Sequence, residues 1–105
     1  MFKTNEYFEG KVKSIAFKDT ESDTTIGVMA KGEYEFGTSK MEVMTVISGK
    51  LKVQLPNCNC WKEYGKYDSF IVKSKKKFKV KTEEATTYIC RYYNDSNCEC
   101  GCNCG

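Results

Sequence analysis

The chain has 105 residues and a mass of 12.0 kDa, room for one domain and no more. Hydrophobic residues make up 40% and charged residues 30%, which excludes a wholly disordered chain, and a net charge of +3 is too modest to point to nucleic acid. Histidine is absent, which excludes His-based acid/base chemistry, Ser–His and Cys–His nucleophiles, and every His-containing metal site.

The N-terminal residues carry Lys3, Glu6 and Glu9 without an apolar stretch, so no secretory signal is expected. The longest apolar runs are a few residues, so no membrane-spanning helix is expected, and the cytoplasm is the expected compartment. From there nearly every segment reads as strand. Residues 12–17 alternate, Val12, Ser14 and Ala16 against Lys13, Ile15 and Phe17. Residues 25–30 are rich in β-formers. In residues 32–36 Tyr34 and Phe36 share a face. Residues 44–47 and 50–55 form two β runs, and Ser48-Gly49 between them predicts a tight hairpin. Further strands are expected over 69–72, 77–81 and 86–93. No stretch of a dozen residues shows a helical apolar period. Short strands separated by turn signals predict an all-β sandwich or barrel.

Two segments stand out by composition. Residues 73–81 hold six lysines, either a solvated strand face that protects an edge or an attraction for an anionic substrate. Residues 94–105 contain little but Asn, Asp, Ser, Gly and Cys, and are read as a disordered tail beyond a domain over 1–93. Cys98, Cys100, Cys102 and Cys104 alternate there, and Cys58 and Cys60 form a second C-x-C. Such thiols can wrap a soft metal, or be adventitious. Cys90, in an apolar-aromatic setting, is expected to be reduced and buried.

Glu42 is followed after six residues by Gly49, which is the second half of the first cupin motif. Where cupins carry His-x-His on the preceding strand, this chain has Tyr34-x-Phe36, so the usual metal triad is broken. The longer string is N-E-Y-F-x-G-K-V-K-S-I from Asn5, I-G-V-M from Ile26, G-E-Y-x-F from Gly32, E-x-M-T-V-I-S-G from Glu42, L-x-V-x-L-P from Leu51, Trp61, and T-x-Y-I-C-R-Y from Thr86. In this order and spacing it closely resembles the small cupin-like pyrimidine/purine nucleoside phosphorylases, from Asn5 to Tyr92. The resemblance implies a cytoplasmic, homodimeric, jelly-roll cupin barrel. It implies phosphorolysis of nucleosides such as uridine, adenosine, guanosine, inosine, cytidine, thymidine and xanthosine to free base and ribose or deoxyribose 1-phosphate. No cofactor is implied; inorganic phosphate is a co-substrate. Lys73-Ser74-Lys75 stands where the family has a Pro-Gly-His turn, so any role of that imidazole is lost or passes to Lys75.

Phosphorolysis needs an anion held near the sugar C1′, fixed sugar hydroxyls, and a proton or hydrogen bond for the leaving base. Arg91, the lone arginine, is the candidate for phosphate, or else holds a structural ion pair, with Glu42 a possible partner. Glu42 is the candidate to bind ribose hydroxyls or share a proton with the base. Tyr34 and Phe36 are candidates to stack on a base, or are plain barrel core. Thr45 and Ser48 can donate hydroxyls to phosphate, though strand and turn roles suit them too. Tyr88 and Tyr92 lie on the face of the last strand opposite Arg91, so at most one of these sets faces a pocket. The rival readings are a non-catalytic small-molecule-binding cupin and a metal-handling protein built on the cysteine tail.

Overall fold

A computed structural model describes residues 2–20 and 22–94. Ten strands follow one another: β1 (Lys3–Tyr7), β2 (Val12–Lys18), β3 (Asp23–Met29), β4 (Gly32–Gly37), β5 (Met41–Ser48), β6 (Leu51–Gln54), β7 (Lys62–Tyr64), β8 (Ser69–Val72), β9 (Lys77–Thr82) and β10 (Thr86–Tyr93). All pairings are antiparallel. They build a six-stranded sheet, β1-β2-β3-β10-β5-β8, and a four-stranded sheet, β4-β9-β6-β7. The all-β expectation holds, and among the described residues no helix is long and apolar enough to cross a membrane.

Period-two alternation decides what lies between the sheets. The six-stranded sheet sends Val12, Met29, Met44, Val46, Phe70, Val72, Tyr88 and Cys90 inward. The four-stranded sheet answers with Tyr34, Leu51, Val53, Tyr64, Phe78 and Val80. Each fully buried aliphatic side chain there contributes about 1.5–3 kcal/mol.

The expected hairpin at Ser48-Gly49 does not form. β5 lies between β10 and β8, whereas β6 lies between β9 and β7, so the chain changes sheet at this corner. Gly49 takes φ +85°, and a Cβ there would sit 2.4 Å from Thr86 Oγ1. Thr82 and Thr86 both donate to the Lys50 carbonyl, at 2.9 and 3.2 Å, and so fix the exit from the turn. The glycine serves a corner rather than a two-residue hairpin.

Candidate active site

One end of the barrel opens into a cavity of about 310 Å³. Its walls come from both sheets. β4 and β9 supply Glu35, Phe36, Gly37 and Phe78; β2, β3 and β5 supply Ser14, Met29, Glu42 and Met44; β10 supplies Tyr88, Cys90 and Tyr92; and the end of β1 and the turn after it add Tyr7 and Phe8. The volume lies at the low end of the range for sites that take one small molecule.

Glu42 lies near the start of β5, opposite Tyr92 of β10 and Val72 of β8. Burial pushes its carboxyl above the usual carboxylate range, and the Cys90 thiol, which donates to Oε1 at 3.5 Å, partly offsets that rise. Cys90 is free and buried, and its thiol is pushed far up, by burial first and by the Glu42 charge second. It is therefore a hydrogen-bond donor and a poor nucleophile. Burial likewise raises the Tyr88 and Tyr92 phenols, so both stay neutral. Tyr92 shares a hydrogen bond with Thr25 Oγ1 at 3.2 Å. The Tyr88 ring lies against Gly27, where a Cβ would approach it to 2.5 Å; only glycine leaves the ring its place.

The aromatic wall is continuous. Phe8 meets Tyr34 at 4.9 Å and Phe36 at 5.5 Å between ring centroids, and Phe36 meets Phe78 at 5.8 Å. Tyr34 stands behind this wall, with its hydroxyl donating to the Ala30 carbonyl at 2.7 Å, and does not line the cavity.

The sequence candidates thus divide. Glu42 and Phe36 line the cavity, with Tyr34 packed behind Phe36. Arg91 and Thr45 lie on the outer face of the six-stranded sheet. Arg91 is ion-paired there with Asp19, not with Glu42, and its guanidinium holds the Asp19 carboxyl below the usual range. Thr45 shares a hydrogen bond with Ser69, at 2.7 Å, and Ser48 shares one with Thr87, also at 2.7 Å. Alternation along β10 carries the division: with Tyr88 and Tyr92 turned inward, Arg91 has to turn out.

Several lining residues carry weak sequence signals. Ser14 is a polar residue on the inward face of an alternating strand, and Cys90 stands in step with Tyr88 and Tyr92. Tyr7 and Phe8 belong to the N-E-Y-F string but to no alternating pattern; Tyr7 ends β1, and Phe8 enters the site through a turn in which Phe8 and Glu9 both take positive φ.

The donor set does not fit a cupin metal. Tyr34 and Phe36 occupy the ligand strand, and among the described residues no three His, Cys, Asp or Glu side chains are placed to share a metal ion.

Beside Gly37, Thr38 clasps the lysine-rich turn that leads into β9. Its Oγ1 donates to the Lys73 carbonyl at 2.7 Å and accepts from the Lys76 amide at 3.0 Å. The Thr38 amide donates to Lys76 O, and its carbonyl accepts from the Lys75 amide, both at 2.9 Å.

Residues 2–92 match the pyrimidine/purine nucleoside phosphorylase family. The chain belongs to that family. A pyrimidine/purine nucleoside phosphorylase of Pseudomonas aeruginosa is 53% identical over 92 residues, spanning 88% of this chain and 99% of that protein. One from Pseudomonas putida is also 53% identical over 92 residues, with 88% and 98% covered. A crystal structure from Vibrio parahaemolyticus, of a protein of unknown function, superposes with a TM-score of 0.85 at 40% identity, covering 89% of this chain and 99% of that one. An RmlC-like cupin from Shewanella frigidimarina superposes at 0.70 with 17% identity, covering 88% of this chain and 83% of the other. The two-sheet barrel therefore has the cupin fold.

Proposed function

We infer that this family member splits purine and pyrimidine nucleosides with inorganic phosphate, giving the free base and ribose or deoxyribose 1-phosphate. The observation that carries the reading is a cavity walled by aromatic rings with a protonatable, buried Glu42 inside it. Phe36, Phe8 and Phe78 offer π-faces, and stacking on such faces tolerates any base. Ser14, Glu35 and Tyr92 offer polar groups for the sugar hydroxyls. The C1′–N bond breaks with its electron pair leaving on the base, a C1′–O bond forms to phosphate, and protonated Glu42 hydrogen-bonds to the leaving base and hands it the proton. Positioning and electrostatics suffice for this displacement, with no metal or organic cofactor.

Among the described residues, those lining the cavity include no Lys or Arg. Attraction of phosphate is therefore assigned to the lysines of the 73–77 turn, clasped by Thr38 beside Gly37, with Lys75 at the family's imidazole position. The same lack of a lining cation favours a second reading, a binding cupin without catalysis. Incubation of the pure protein with uridine or inosine and phosphate separates the two. Ribose 1-phosphate and free base are the expected products, and their absence at high enzyme concentration would leave the binding reading.

The protein is further proposed to act as a homodimer, paired through the outer face of the six-stranded sheet. There Ile15, Ile26, Val28, Ile47 and Ile71 are 39–57% exposed. A cytoplasmic setting accords with free thiols at Cys58, Cys60 and Cys90.

A further inference from the structure

The loop from β6 to β7 contributes nothing to the cavity, yet it carries a thiol pair that the proposed reaction does not use. Pro56 and Asn57 turn the chain, Asn57 in the left-handed region at φ 63°, and the Cys58 amide closes the turn onto the Leu55 carbonyl at 3.1 Å. The turn sets Cys58 Sγ 3.0 Å from Cys60 Sγ, with Cys60 exposed and Cys58 half-buried. Two residues of an extended strand separated by one point their side chains to the same face but stand about 7 Å apart. The turn brings these two sulfurs much closer than that, on a surface open to solvent.

We propose that Cys58 and Cys60 form a two-sulfur chelate for a thiophilic divalent cation of the zinc type. Zinc–sulfur bonds of about 2.3 Å in a tetrahedron place two sulfurs about 3.8 Å apart. Reaching that separation moves each sulfur by about 0.4 Å, within the freedom of side-chain torsions at a solvent-facing loop. Two positions of a four-coordinate ion remain to be filled. Water fills them in the site proposed; Cys98, Cys100, Cys102 and Cys104, which the sequence also contains, are no part of it. These later cysteines lie outside the described residues. Binding displaces the thiol protons to solvent and involves no change of oxidation state.

The test uses the full chain, reduced and freed of metal. Zinc is added, and alkylation of each cysteine by iodoacetamide is followed by mass spectrometry. Zinc is expected to slow alkylation of Cys58 and Cys60 together. In the full-length Cys58→Ser/Cys60→Ser variant, zinc affinity measured against a chromophoric chelator is expected to fall about tenfold or more. Circular dichroism of that variant should match the wild-type chain, since neither sulfur belongs to the buried core. Equal alkylation rates with and without zinc would overturn the proposal. So would a double variant of unchanged affinity, which would leave the later cysteines as the whole of any zinc site.

Discussion

Glu42 is a carboxyl that the fold makes harder to ionise, and two outcomes follow from that. Its folded value is raised from an ordinary value near 4.5, so the folded chain holds the proton more tightly than the unfolded chain. As pH rises through that interval the fold loses stability, and above the folded value the loss stays constant. Glu42→Gln cannot ionise. Urea melts from about pH 4 to about pH 8 should show the wild-type decline flattened in the variant, and the variant more stable at neutral pH. An unchanged slope would mean that the pH dependence arises elsewhere. The same variant keeps an acceptor for Cys90 but has no proton to give, so kcat should fall about a hundredfold or more. Arg91 obeys the opposite sign through its partner. Asp19 has its folded value depressed, so the pair supports the fold above the ordinary value near 3.8 and ceases to as pH falls through the depressed one. Arg91→Lys keeps the charge but loses the planar fork; it should weaken that acid resistance and leave phosphorolysis little changed. A tenfold drop in kcat/KM, about 1.4 kcal/mol, would instead bring phosphate to the outer face of the sheet.

Among the elements, the β5–β6 corner tests how tightly the two sheets are joined. Gly49→Ala places a methyl group against Thr86 and 3.1 Å from the Ala85 carbonyl, in a backbone conformation that disfavours alanine. A cost of about 2 kcal/mol or more is expected, measured by urea denaturation. The corner also shows where sequence reading stops. Ser48-Gly49 reads correctly as a turn, but a turn residue does not state whether the next strand pairs with the last or crosses to another sheet. The threonines that settle it lie more than thirty residues away. β1 and β7 escaped the period-two signal for a related reason. β1 buries no residue and β7 only Tyr64, so neither alternates strongly; each is held by a backbone ladder on one side. The strongly alternating strands were legible, and so was Glu42, because its spacing to Gly49 belongs to a known motif. Which face of β10 turns inward was not legible, since Tyr88 and Tyr92 on one side and Ile89 and Arg91 on the other alternate equally well. The packed core chose the aromatic side.

For the whole molecule, the outer face of the six-stranded sheet is the feature that solvent disfavours. Ile15, Ile26 and Ile89 stand in one cross-strand row, continued by Thr45 and Ser69. Sedimentation should give about twice 12.0 kDa at micromolar concentration, and Ile26→Glu should return the monomer. A wild-type species of 12.0 kDa would remove the dimer and leave that face bare.

The β1–β2 hairpin gives the molecule two distinct stabilities. Tyr7 and Phe8 complete the cavity wall, yet no residue of β1 belongs to the core, and among the described residues β1 is bonded to β2 alone. Detaching that strip ruptures one ladder and leaves the interior between the sheets intact. Deuterium should therefore enter the β1 amides far faster than those of β10, and the cavity should exchange its contents with bulk water on a timescale set by one peripheral ribbon. Heating toward the melting point would then blur the binding site well before circular dichroism registered any loss of the barrel.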